Sequence, residues 1–135
     1  MAKARGRNDH PNLDLARELW AAAADGNAEA MRGLLAEDVV WQTVGRNPLS
    51  GVRKGPDEVL DYLAMVGEAA DELLSDIEEI FVNDEGAVVM YQVKAQREGK
   101  NLEMEFLLLL RIEVGQVTRA LMVPVDQYVN DKFWN

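Results

Sequence analysis

The chain has 135 residues, enough for one domain whose core needs no metal or disulfide support, and its 48% hydrophobic and 28% charged residues are ordinary globular proportions. A formal charge of −10 argues against nucleic acid as a partner, because phosphate binding needs a basic surface that releases counterions. The absence of cysteine excludes disulfides, thiolate metal sites and cysteine nucleophiles, and a single histidine, His10, leaves little room for imidazole chemistry or a His-rich metal site.

Residues 1–12 show no hydrophobic periodicity and are expected to be a flexible leader. The leader is basic (Lys3, Arg5, Arg7) and contains no apolar segment of the secretory kind, so a cytoplasmic location is expected. Asn12 or Asp14 can cap a first helix in which Leu15, Leu19, Ala22 and Ala23 form one stripe, with Trp20 at its edge. Asp25-Gly26-Asn27 then closes that helix and opens a second over 28–36, which buries Met31, Leu34 and Leu35. A first strand follows over 38–44, with Val39, Trp41 and Thr43 on one face and Val40 and Gln42 on the other. Glycines, Pro48 and the cations Arg46, Arg53 and Lys54 mark 45–55 as a loop near the mouth of any cavity, where the cations could attract an anion. Pro56 suits the first turn of a third helix, with Asp57 and Glu58 near its positive end and Val59, Tyr62, Leu63 and Val66 as its buried stripe.

The remainder reads as strands separated by turns. Strands are expected over 77–82, 87–96, 101–113 and 117–123, and the longest apolar run, 106–110, is strand-sized and far short of the roughly 18 to 20 residues that cross a bilayer. No membrane partner is expected. In the second of these strands Val89, Tyr91, Val93 and Ala95 share a face. In the third, Leu102, Met104, Phe106, Leu108 and Leu110 form a wholly apolar face, while Glu103 and Glu105 stand opposite as solvent or interface charges. Leu107 and Leu109, on that opposite face, need a cover. The tail 126–134 is expected to pack across the domain as a plug or cavity lid anchored by Phe133 and Trp134. Helices grouped first and strands grouped later give an α+β class, with the helices on one face of an antiparallel sheet.

Several segments together resemble a known family. They are the helix ending in Asp25-Gly26-Asn27, the run Leu34-Leu35-Ala36-Glu37-Asp38-Val39-Val40-Trp41, the Asn47-Pro48-Leu49-Ser50-Gly51 loop with Gly55 before a helix, Gly115-Gln116-Val117, Pro124-Val125-Asp126-Gln127-Tyr128 and Asp131-Lys132-Phe133-Trp134. In this order they resemble SnoaL-like proteins, the polyketide-cyclase and ketosteroid-isomerase relatives of the nuclear transport factor 2 superfamily. The resemblance covers residues 13–135 as one domain. It implies a cone-shaped barrel: a strongly curved, mixed, mainly antiparallel sheet wrapped against the three helices of the N-terminal half, with an internal apolar pocket and a homodimer through the outer sheet face. The expected pocket residues are Trp41, Thr43, Tyr62, Leu63, Tyr91, Met104, Phe106, Leu108 and Met122, and the ligand a small hydrophobic molecule, with no cofactor and no metal.

Carried over residue by residue, the resemblance leaves catalysis open. Where ketosteroid isomerases place a general-base Asp this chain has Thr43, and where they place the Tyr and protonated Asp of the oxyanion hole it has Leu19 and Leu108. That enolisation is therefore not expected. Where many SnoaL-like proteins carry a pocket His and a late acid, this chain has Gln42 and Val125; Asp126 with Arg46 or Arg53 is the nearest approach to a hydrolase triad. Tyr91, Thr43, Gln42 and Asp126 remain the polar candidates for a cofactor-free isomerase, cyclase or hydrolase. The alternative is a non-catalytic dimerisation or interaction module with a filled cavity, and the size of the cavity separates the two.

Overall fold

In the computed structural model, residues 10–135 are described. Most of the expected leader, residues 1–9, lies outside them. Among the described residues, four helices, α1 (Pro11–Ala24), α2 (Ala28–Leu34), α3 (Gly55–Ala69) and α4 (Gln127–Trp134), accompany six strands: β1 (Leu35–Thr43), β2 (Gly51–Lys54), β3 (Glu72–Asn83), β4 (Gly86–Arg97), β5 (Lys100–Glu113) and β6 (Gln116–Pro124). They form one sheet in the order β2-β1-β6-β5-β4-β3. All neighbours are antiparallel except β1 and β6, which run parallel, so the sheet is mixed and mainly antiparallel as expected. Register shifts in β1 after Leu35, in β3 at Ile77/Glu79 and in β5 at Arg111/Ile112 are bulges of the kind that bend a sheet.

The N-terminus differs from the sequence reading. Helix α1 starts at Pro11, whose fixed φ suits the first turn, and His10 is the cap: its Nδ1 accepts from the Asn12 backbone N–H at 3.1 Å. Asn12 is instead inside the helix, and its Nδ2 donates to the Asn83 carbonyl at 2.8 Å, while His10 Nε2 lies 3.1 Å from Asp84 Oδ1. This end of the helix is thereby tied to the turn between β3 and β4. The next junction is as expected: Gly26 takes φ +66°, and Asn27 Oδ1 caps α2 by accepting from the Ala30 N–H at 3.1 Å.

Three further differences concern extent. Helix α2 stops at Leu34, and Leu35 and Ala36 belong to β1. The loop over 45–55 contains β2, which pairs with β1 from Val40↔Lys54 to Thr43↔Gly51. Strand β3 begins at Glu72 rather than at Ile77, and the tail forms α4, capped by Asp126 Oδ1 accepting from the Val129 N–H at 3.1 Å.

Alternation sets the core. The even residues of β5 from Leu102 to Ile112, the odd residues of β4 from Val89 to Ala95, and Val39, Trp41, Val117 and Ala120 are all buried on the face toward α1 and α3. Cross-strand rows run over this inner face, one of them being Thr43↔Met122↔Leu108↔Val89 and another Trp41↔Ala120↔Leu110↔Ala87.

Candidate functional site

A cavity of about 590 Å³ lies between the inner sheet face and the helices. Helix α1 contributes Ala16, Leu19 and Trp20, α2 contributes Met31, and α3 contributes Leu63 and Val66; Trp41, Val89, Tyr91, Leu108, Leu110 and Met122 form the floor. The exposed residues Ala23, Ala24, Gly67, Asp71, Glu72, Leu74 and Ser75 also border it and mark its mouth. Of the nine residues expected to line a pocket, Trp41, Leu63, Tyr91, Leu108 and Met122 border this cavity. Thr43, Tyr62, Met104 and Phe106 do not.

Those four have other surroundings. The Thr43 hydroxyl donates to the Tyr62 hydroxyl at 2.8 Å, and the Tyr62 hydroxyl lies 3.3 Å from Met122 Sδ. Arg53 stands over the Tyr62 ring at 4.3 Å and donates from Nη1 to the Leu49 carbonyl at 2.7 Å. Tyr62 is thus a satisfied core phenol beside the cavity; burial raises its pKa, with the Thr43 hydrogen bond and Arg53 opposing. Phe106 stacks on Tyr91 at 5.6 Å and so backs it rather than facing the hollow, and Met104, also buried, is two residues further along the same face.

Tyr91 and Trp41 are different. Tyr91 makes an edge contact with Trp20 at 4.7 Å, yet its hydroxyl is buried without a hydrogen-bond partner. Trp41 Nε1 is in the same condition. Burial, assisted by the nearby Tyr62, drives the Tyr91 pKa far above the ordinary phenol value, so the group remains a neutral hydroxyl at any working pH. A neutral phenol and an indole N–H can donate hydrogen bonds but cannot act as a carboxylate base. Leu19 and Leu108, in the positions where the resemblance would put an oxyanion hole, supply apolar wall only.

The remaining polar candidates stand apart. Gln42 is on the face of β1 opposite Trp41, and Asp126 is the exposed cap of α4; neither borders the cavity. Nor do Arg46, Arg53 and Lys54, so the expectation of cations at the mouth is corrected: the charged residues there are Asp71 and Glu72. The tail is no lid either. Phe133 and Trp134 are buried anchors as expected, with Trp134 Nε1 donating to Asn130 Oδ1 at 3.1 Å, but no residue of α4 borders the cavity. Instead Asp131 brackets the loop after β1, accepting from the Arg46 N–H at 2.9 Å, Asn47 Nδ2 at 2.7 Å and Gln127 Nε2 at 3.0 Å. Among the described residues no three His, Cys, Asp or Glu side chains gather as metal ligands would, and no helix is long and apolar enough to cross a membrane.

Sequence reasoning missed Trp20, Met31 and the mouth segment 70–75. The stripe of α1 put Trp20 at its edge, which is where a side chain reaches a cavity rather than the core, and that signal was available. Nothing in the alternation of 70–75 announced a mouth.

Comparison with known proteins places these features in context. The SnoaL-like domain family matches residues 16–120. The uncharacterized protein Rv0034 of Mycobacterium tuberculosis is 31% identical over 128 residues, covering 93% of this chain and 98% of that protein. An NTF2-like protein of unknown function from Burkholderia pseudomallei superposes with a TM-score of 0.82 at 21% identity, covering 93% and 98% of the two chains. TerC, co-crystallized with polyporic acid, gives a TM-score of 0.80 at 18% identity over 92% and 98%.

Proposed function

Because the chain belongs to the SnoaL-like domain family, with the cone-like fold of NTF2-like proteins, we propose that it binds a small hydrophobic molecule of polyketide- or terpenoid-like character in the cavity between sheet and helices. The observation that carries this reading is the cavity itself: about 590 Å³, walled by apolar and aromatic side chains, within the range of small-molecule sites. That volume weighs against a filled cone serving only as an interaction module. The co-crystallization of the neighbour TerC with polyporic acid supports the search for an organic ligand. Any chemistry in such a site belongs to the cofactor-free isomerase, cyclase or hydrolase kind, with positioning and exclusion of water as its main contributions and Tyr91 as its hydrogen-bonding group.

The proposal includes a homodimer through the outer sheet face. Phe81↔Val88↔Leu109↔Leu121 and Met90↔Leu107↔Val123 make two apolar rows there, and Phe81 and Leu109 remain 51% and 38% exposed.

The test is native mass spectrometry of protein purified from its own host, paired with a thermal-shift screen of hydrophobic metabolites. Ala23 borders the cavity but is exposed, so Ala23→Trp obstructs the mouth without crowding the core. The reading expects a co-purifying organic ligand or stabilising hits that Ala23→Trp abolishes. Bare protein and no hits in either form would refute it.

A further inference from the structure

We infer that the second copy covering the outer sheet face lies with its strands running opposite to those of the first, so that Arg111 of each protomer stands on Glu105 of the other, with Arg119 beside it. The inference rests on reading that face as a homodimer interface and fixes the register of the two sheets.

Cross-strand pairing orders the outer face into rows whose character changes along the strands. At one end Arg111 and Arg119 are direct partners on β5 and β6, and like charges directly opposite repel. Glu85 answers Arg111 at 2.9 Å, while the exposed Arg119 has no ion-pair partner among the described residues. The Leu107 and Leu109 rows occupy the middle and are apolar. The other end is acidic. Asp76, Gln92 and Glu105 form a row there, and Glu78, in the bulge of β3, comes close enough to share a hydrogen bond with Glu105. Each end therefore crowds like charges together, and the two ends are opposite in sign.

A second sheet can stack on this face about a two-fold axis that runs either along the strands or across them. An axis along the strands brings like ends together, with four arginines at one end and the carboxylates at the other. Such juxtaposition of like charges across an interface is strongly unfavourable. An axis across the strands turns the partner end over end, and each arginine pair meets carboxylates. The spacing suits this arrangement. On β5, Glu105 and Arg111 lie three residues to either side of Leu108, about 10 Å each way along a strand. An axis crossing β5 at Leu108 places Arg111 over the partner's Glu105 and lays the Leu107 row of one sheet on the Leu109 row of the other. A foreign partner of one charge sign would satisfy only one end of the face, whereas a second copy satisfies both.

Dimer dissociation constants from sedimentation of the full chain test the register through Glu105→Gln, Arg111→Gln and the double variant. The two positions are about 20 Å apart within one chain, too far to couple there, so any coupling between them arises across the interface. Each glutamine is expected to weaken the dimer about fivefold, and the double variant little more than either alone. The charge reversals Glu105→Arg and Arg111→Glu are each expected to weaken it by about tenfold or more, and the two together to restore the parent value to within about threefold. The glutamine set covers the case in which Arg111→Glu, placed beside Glu85, disturbs the fold. Single variants that associate as tightly as the parent point to like ends together and overturn the inference, as does additive weakening with no restoration by the double reversal. A parent that sediments as a single chain at tens of micromolar contradicts the dimer reading itself, and the inference with it.

Discussion

Two buried phenols illustrate what burial alone fails to reveal. Tyr62 and Tyr91 are 4% and 3% exposed, yet Tyr62 has Thr43, Met122 and Arg53 around its ring and hydroxyl, whereas the Tyr91 hydroxyl has nothing. The period of two in the strands was sufficient to turn Trp41, Tyr91, Leu108 and Met122 inward. It carried no information on depth along the cone, which is why Met104 and Phe106, on the same face, were expected to line the cavity and instead pack behind it. Asp131 was equally invisible, because two of its three donors, the Arg46 N–H and Asn47 Nδ2, come from a loop some 85 residues away in sequence. The Arg46 N–H, followed by Asn47 and Gln127, holds its carboxyl below the ordinary Asp value. A carboxylate with a depressed folded-state pKa contributes stability that is present above its unfolded pKa of about 4 and is lost as pH falls through the folded value. Asp131→Asn is therefore expected to melt at a lower temperature than the parent at pH 7, with the gap closing as pH falls below about 4. A gap independent of pH in thermal melts would contradict this.

At the scale of elements, the strongly periodic strands β4 and β5 were legible to within a residue or so, because each has one buried and one open face. Strand β3 was half hidden: Glu72–Asp76 is an edge segment with little burial on either side, so pairing with Gln92–Gln96, not its own pattern, makes it extended. Strand β2 is concealed for a similar reason among glycines and Pro48. The hairpins carry strain that pattern reading does not show. Val114, fully exposed, takes φ +52° beside Gly115 at +73° in the β5–β6 turn, a conformation costly for a β-branched residue and natural for Asn-Gly. Val114→Asn is expected to stabilise the protein by about 1 kcal/mol in denaturant titrations. Gly86, by contrast, sits so close to the β5 backbone that a Cβ there would meet the Leu110 carbonyl oxygen at 1.9 Å. Gly86→Ala is expected to destabilise by about 1–3 kcal/mol. If both substitutions proved neutral, the hairpin geometry described for β4, β5 and β6 would be wrong.

For the whole molecule, one sheet serves two surfaces. The inner face builds the cavity, and the outer face presents apolar rows flanked by Arg111 and Arg119 at one end and by Glu105, whose pKa is raised by a hydrogen bond shared with Glu78, toward the other. Sedimentation is expected to give twice the 15.1 kDa chain mass for the parent and a monomer for Leu109→Glu; a monomeric parent at tens of micromolar would refute the dimer. The proposed capture of a ligand by the inner face can be tested at a single side chain. The three tryptophan indoles, from Trp20, Trp41 and Trp134, are expected to give separate signals in a ¹⁵N–¹H correlation spectrum, with that of Trp20 assignable by Trp20→Phe. On titration with the aromatic probe fluorenone the indole signal of Trp20, which is partly exposed and borders the cavity, is expected to shift, while that of Trp134, bound to Asn130 and away from the cavity, holds its position. A Trp20 signal that stayed still while fluorenone was added to a large excess would contradict the account.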